Sequence, residues 1–327
     1  MPVSMLPKAE IHCHIEGAAA PALVLRQAKK YGADMSAFIR DGAYVWQDFT
    51  SFLAAYDAAA ALFRTADDYA LLAEDYLTGI AAEGAIYAEF FTSPDHARHA
   101  GLSPEAYTEG LAEGMARAKA RTGIESRQIV TGVRHFGVDS VMDAARFATT
   151  CDRSVVSGFG MAGDERLGNL ADFVPAFDLA RDAGLGITVH AGELCGWESV
   201  ASALDHIHPS RIGHGVRAIE NPDLVRRIAD EGVVLECCPG SNIALDVFPS
   251  FADHPFPALM QAGCRVTLNS DDPPHFHSTI GREYAIAQEH FGLDDQALLE
   301  ITRTALEAAF VDDATRAALM ARLDNRG

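Results

Sequence analysis

Eight short apolar segments rich in β-branched residues recur along this chain with helical stretches between them, and that alternation restricts the fold more than any other feature. They are AEIHCHI (9–15), AIYAEFF (85–91), RQIVTGV (127–133), SVVSGFG (154–160), GITVHAG (186–192), RIGHG (211–215), VVLECCP (233–239) and RVTLNSD (265–271). Connecting stretches such as LADFVPAFDLARDAG (170–184) and NPDLVRRIADEG (221–232) place apolar residues three and four apart and end on a glycine, the pattern of an outer helix. Eight β/α units predict closure into a (β/α)8 TIM barrel spanning residues 1–327 as a single domain. An open doubly wound sheet would carry a Gly-rich phosphate loop after an early strand, and neither G-x-G-x-x-G nor a Walker loop is present.

In such a barrel the active site lies at the carboxyl ends of the strands. His12 and His14 in KAEIHCHIEG, His190 in ITVHAGE, His214 in RIGHG and Asp271-Asp272 in VTLNSDDPP all fall there. Successive strand side chains alternate faces, so His12 and His14 share one face about 7 Å apart. One His-x-His pair is weak evidence, because two histidines at this spacing also occur as core residues bonded to backbone. Echoed at three further strand ends, it reads as a metal site. Neutral imidazoles with a carboxylate suit Zn²⁺, and His12, His14, His190 and Asp271 offer three nitrogens and one oxygen with a position left for water. Zinc lowers the pKa of bound water from about 15.7 to about 7, which points to hydrolysis.

Glu193, three residues after His190, is placed to face substrate as an acid. A lone strand-end histidine is more often structural, but beside this cluster His214 reads as a residue that holds and polarises the water. Asp271 and Asp272 point to opposite sides of a regular strand. Pro273-Pro274 is expected to end the strand there, leaving Asp271 for the metal and Asp272 for substrate.

The remaining text narrows the setting. A net charge of −20 with no long basic run argues against nucleic acid and anionic membrane as partners. The six cysteines (Cys13, Cys151, Cys195, Cys237, Cys238, Cys264) show no C-x-x-C spacing and read as small core residues, none of them a metal ligand. With MPVSMLPKAE lacking a leader pattern, a cytoplasmic enzyme is expected. The first connection, about 18–84, is long enough for two or three helices, and an insertion of that size often covers a site. Phe52, Leu53 and Tyr56 share one helical face there, as an apolar lid or as packing for the insertion. The text after Asp272 reads as extra C-terminal helices.

KAEIHCHIEG, GMAGDE (160–165), TVHAGE, RIGHG and LNSDDP, in this order, resemble the adenosine deaminase family of the amidohydrolase superfamily over nearly the whole chain. The resemblance implies one zinc per chain held by His12, His14, His190 and Asp271, and a small-molecule purine as substrate. It implies that Glu193 protonates N1 as hydroxide attacks C6, while His214 and Asp271 orient the water. Asp272 would bond N7 and the Gly163 backbone N3, with His14 and Glu16 also facing substrate and Phe52, Leu53 and Tyr56 matching the family's lid. The other zinc deaminase design, H-x-E with P-C-x-x-C, is absent.

One departure bears on substrate. Adenosine deaminases commonly read H-x-H-x-D-G, with the aspartate on the ribose 5′-hydroxyl, whereas Glu16 stands here, as in related adenine deaminases. GMAGDE is nucleoside-type text. The sequence expectation is therefore deamination of adenosine and 2′-deoxyadenosine to the inosines, with adenine or a modified adenine nucleoside as the alternative. A different amidohydrolase reaction on the same barrel and a non-catalytic zinc protein are the readings outside this class. The joint presence of Glu193 and His214 argues for catalysis.

Overall fold

The structure is a computed structural model that describes residues 3 and 6–325. The other terminal positions of the expected 1–327 domain lie outside the described residues. Eight parallel strands follow one another around a sheet: β1 (Lys8–Glu10), β4 (Ala85–Thr92), β5 (Glu125–Val133), β6 (Val156–Ala162), β7 (Gly186–Ala191), β8 (Arg211–His214), β9 (Val234–Cys237) and β10 (Arg265–Leu268). Each of the eight apolar segments of the sequence contributes one of these strands. Helices surround them, giving the (β/α)8 barrel.

The seam between β10 and β1 is closed by residues beyond the regular strands. Cys13 and Asp271 form an isolated parallel bridge. Asp271 N–H donates to the His12 carbonyl at 3.1 Å, and His14 N–H donates to the Asp271 carbonyl at 2.9 Å. Lower down, the Asn269 side chain takes the place of a strand neighbour, its Oδ1 accepting Ile11 N–H at 3.0 Å. Closure and site are thus made by the same two segments. His12 and His14 lie past the end of β1 rather than inside the expected 9–15 strand.

A further expectation, that Pro273-Pro274 ends the last strand, is corrected. β10 stops at Leu268, well before Pro273-Pro274. The chain instead turns at Asp271 itself, whose φ of 63° is in the left-handed region, and His214 at the end of β8 does the same with φ 59°. Strained backbone of this kind costs of order 1–3 kcal/mol and persists where the surroundings over-determine it.

The first connection holds α1 (Pro21–Tyr31), a small antiparallel hairpin of β2 (Ile39–Arg40) and β3 (Ala43–Tyr44), α2 (Phe49–Ala60) and α3 (Ala66–Ala82). Pro21 opens α1 and Gly32, with φ 66°, ends it. Asp48 and Ser51 form a reciprocal capping box at the start of α2. Thr65 caps α3, which packs along α5 (Pro104–Thr122) as an outer barrel helix. The added structure is therefore α1, the hairpin and α2, a shorter insertion than 18–84.

Helices Ile280–Phe291, Asp295–Ala308 and Asp313–Asp324 complete the chain. Ala305, Leu306, Leu319 and Leu323 pack with Ala9, Ile11, Ile86 and Tyr87 in one apolar cluster. Within the barrel an ionic layer replaces apolar filling. Arg211 pairs with Glu89 and Glu236, each contact at 2.6 Å and each side chain all but fully buried. Cys13, Cys237, Cys238 and Cys264 are buried as expected, whereas Cys151 and Cys195 are only half-buried, and all six are free thiols.

Candidate active site

The carboxyl ends of β1, β7, β8 and β10 bring five ligand-type side chains to one point. Donor atoms of His12, His190, His214 and Asp271 all lie within 4.8 Å of one another. His14 joins them, its Nε2 3.2 Å from His190 Nε2 and 3.5 Å from Asp271 Oδ1. Two imidazole nitrogens at that separation require a proton or a cation between their lone pairs. The set whose donors all lie within 4.8 Å of one another contains His214 where the sequence expectation had His14.

The hydrogen bonds behind each ring distinguish their roles. His12 Nδ1 bonds Glu236 Oε2 at 2.7 Å, and His190 Nδ1 bonds the Met161 carbonyl at 3.1 Å. Both partners are acceptors, so both rings carry hydrogen on Nδ1 and turn a bare Nε2 toward the centre. His12 Nε2 is buried there without a hydrogen-bond partner. Asp271 Oδ2 accepts from Ser241 Oγ at 2.6 Å, while its Oδ1 faces His12 and His14.

His214 is wired the other way. Phe256 N–H donates to His254 Nδ1 at 3.2 Å, which makes His254 Nε2 the donor to Asn242 Oδ1 at 3.1 Å. The Asn242 amide then donates from Nδ2 to His214 Nδ1 at 3.2 Å. Hydrogen on the neutral His214 ring is left at Nε2, which lies 3.6 Å from Glu193 Oε2 and 3.9 Å from Asp271 Oδ2. A bare nitrogen binds a metal; an N–H donates to an oxygen. The relay thus sorts His214 from His12 and His190.

The electrostatics match a site built for positive charge. Burial disfavours a charged His12, yet the Asp271 and Glu236 carboxylates overcome it and lift its pKa to about 10, so His12 Nε2 faces a place for one positive charge, which a proton or a metal cation in its stead can fill. Burial lowers His14 to about 3 and His214 to about 4. Asp271 resists the upward push of its own burial, and the imidazoles hold it well below the usual carboxylate range. Glu193 and Asp272 move the opposite way. Burial raises both, and the charge of Asp271 raises them further, so both carboxyls favour the protonated form.

Beside this centre is a cavity of about 190 Å³. Glu16, Phe52, Leu53, Tyr56, Gly163 and Asp272 all line it, together with His14, Glu193 and His214. Phe52 and Tyr56 pack on Phe276 to form its apolar side. Glu16 is only 1 % exposed and accepts the Tyr107 hydroxyl at 2.6 Å, with its pKa pushed up to about 7 by burial. Asp272 Oδ1, Ser93 Oγ and His96 Nδ1 are buried here without hydrogen-bond partners. Gly17 is required by close approach, since a Cβ there would lie 1.6 Å from Asp272 Oδ1.

Residues 7–326 match the adenosine deaminase family. The chain belongs to that family. The protein is an aminohydrolase of the adenosine deaminase type, with a strand-end cluster that could hold a metal. It is 73% identical over 319 residues to an adenine deaminase of Chelativorans sp. (strain BNC1), covering 98% of both chains. Its fold superposes on an adenine deaminase from Arthrobacter aurescens with a TM-score of 0.90 at 28% identity, covering 98% of each chain. An amidohydrolase from Burkholderia ambifaria with bound Zn gives a TM-score of 0.89 at 27% identity, covering 99% of this chain and 92% of that one. These relatives favour the sequence alternative, adenine, over the leading expectation of adenosine.

Several supporting residues escape sequence reading. Glu236, Glu89 and Arg211 did leave a trace, as isolated charges in otherwise apolar strand text. Tyr107, Ser93 and Asn242 left none, because their roles depend on distant segments meeting. Glu165 stands within GMAGDE, but nothing in the sequence marks it as the partner of the loop after β7.

Proposed function

We propose that this protein hydrolyses adenine to hypoxanthine and ammonia, in a zinc-dependent reaction at the His12, His14, His190 and Asp271 cluster. The bare Nε2 of His12, the outward Nδ1 bonds of His12 and His190, and the carboxylate opposite them form a donor set suited to Zn²⁺. Zinc held there supplies an activated water at neutral pH. His214, presenting N–H, donates to the oxygen and holds it beside Asp271, which explains why it belongs to the cluster without being a ligand. Glu193, protonated by its environment, gives its proton to N1 of the purine, drawing electron density away from C6 as water adds. The proton lost by the water passes by way of Asp271 to the amino nitrogen, ammonia leaves from C6, and the hydroxyl proton of the adduct returns to Glu193 as the carbonyl of hypoxanthine forms, N1 keeping its hydrogen. Asp272, also protonated, donates to N7, and the Gly163 backbone N–H meets N3.

Glu16 carries the choice of adenine. Its carboxylate is buried and accepts the Tyr107 hydroxyl at 2.6 Å, with the Tyr56 hydroxyl also beside it. A further N–H donor satisfies it, and a free purine offers one on its imidazole ring. A nucleoside carries ribose at that nitrogen. The cavity of about 190 Å³ also suits a base, being below the ~300–1,000 Å³ of pockets for drug-sized ligands. The adenine deaminase names of close relatives agree. Phe52, Leu53 and Tyr56 close the apolar side over the ring.

The test compares adenine with 9-methyladenine, which keeps the reacting amine and loses the N–H. We expect kcat/KM to fall by ~10–100-fold for the methylated base, the value of one hydrogen bond to a charged group. Glu16→Gln should reduce that discrimination. Equal turnover of both bases by the wild type would remove Glu16 from substrate recognition.

A further inference from the structure

Loop 192–195 carries Glu193 and is folded around a carboxylate from a different strand end. Glu165 lies beyond β6 and is only 6 % exposed. Its Oε2 accepts the backbone N–H groups of Glu193 at 3.1 Å, Leu194 at 2.7 Å and Cys195 at 2.8 Å. Its Oε1 accepts Gly192 N–H and the Ser199 hydroxyl, each at 2.5 Å. Four consecutive backbone donors turned to one anion form a nest, here filled by the protein's own side chain. Arg134, 3 % exposed, braces the arrangement from beneath by donating to the carbonyls of Glu165 at 3.2 Å and His190 at 3.1 Å.

The Glu193 carboxyl has no comparable hold of its own. Among the described residues its Oε2 lies 3.6 Å from His214 Nε2, and no hydrogen bond fixes its oxygens. Its location is therefore set by its backbone, and that backbone is set by Glu165. We infer that Glu165 is a positioning residue whose carboxylate organises loop 192–195 so that Glu193 meets the ring nitrogen of the substrate. This rests on the deaminase reading of Glu193. Glu165 touches neither metal-type ligands nor substrate, so its effect should appear in turnover rather than in metal binding.

Glu165→Gln tests the assignment at constant shape. Gln presents an NH₂ group to one side of a nest made entirely of donors, so one part of the loop must turn away. A misplacement near 1 Å costs ~100-fold in rate. We expect kcat for adenine, normalised to zinc-bearing sites, to fall by ~100-fold, with KM within ~3-fold and one zinc per chain retained. Amide hydrogen exchange at 192–195 should accelerate in the variant. A purely structural role would lower the yield of folded protein and leave kcat per zinc-bearing site unchanged, and that result overturns the proposal. Ser199→Ala removes one donor and is the milder variant should Glu165→Gln fail to fold; kcat per zinc site equal to wild type would overturn the proposal there too. Wild-type silence on adenine would overturn the substrate reading alone, because unchanged or accelerated exchange at 192–195 still decides whether Glu165 holds the loop.

Discussion

Replacing Glu236 by Gln probes how the barrel interior prepares a metal ligand. Glu236 is fully buried, with Oε2 on His12 Nδ1 at 2.7 Å and Oε1 on Arg211 Nε at 2.6 Å and Thr188 Oγ1 at 3.0 Å. Gln keeps the shape but offers only one acceptor oxygen. If the oxygen stays on Arg211 and Thr188, the amide NH₂ faces His12 and drives its hydrogen from Nδ1 to Nε2, where it blocks the metal. If the amide flips, two N–H groups confront Arg211. Either way an ionic contact is lost among fully buried groups, at a cost of about 3–5 kcal/mol when one partner of a buried pair is removed. The surviving Arg211–Glu89 pair puts the expected loss at the lower end. Outer partners of ligating histidines are worth ~10–100-fold in metal affinity. Competition against a chromophoric chelator measures the zinc affinity, and denaturant unfolding measures the stability. Zinc affinity within ~3-fold of wild type in folded Glu236→Gln would refute the claim that Glu236 fixes the His12 ring for ligation.

Other substitutions separate the remaining roles. Glu193→Gln keeps volume and removes the transferable proton, so kcat should fall by ~10²–10⁴-fold with zinc retained; metal loss alongside activity would show the residue to be a ligand. His190→Ala should lose zinc measurably by metal analysis, whereas His214→Ala should keep most of it and lose turnover, and the reverse order would undo the reading of the Asn242 relay. Asn242→Asp changes the donor on His214 Nδ1 into an acceptor and moves the ring hydrogen away from the centre; a lower kcat is expected with adenine KM little changed. Gly17→Ala places a Cβ 1.6 Å from Asp272 Oδ1. It should raise KM for adenine strongly without removing zinc, and normal KM would show that Asp272 does not read the base.

Much of this molecule was legible because its strands are short apolar words with polar residues at one end. The alternation fixed eight strands, and the metal-type residues marked which barrel face they served. What the text exaggerated was regularity: His12 and His14 looked like neighbours on a strand, yet they lie in the seam where β1 meets β10 through Asp271. Pro273-Pro274 looked like the cause of the break between the two aspartates, but the left-handed backbone at Asp271 makes it earlier. Local propensity carries no warning of such strain, which long-range packing imposes. Relays such as Phe256–His254–Asn242–His214 are likewise hidden, since their meaning lies in who donates to whom. Glu16 shows the same limit at the level of function. One methylene beyond aspartate was visible in the sequence, but the Tyr107 hydroxyl that holds the carboxylate in the cavity was not.

The central claim is the substrate. Ammonia release by zinc-replete protein should be measured with adenine, adenosine and 2′-deoxyadenosine in parallel, each with a chelator-treated control. Rapid turnover of adenine that chelation abolishes and zinc restores is expected, with the nucleosides far slower. Nucleoside turnover equal to or faster than that of adenine would contradict it.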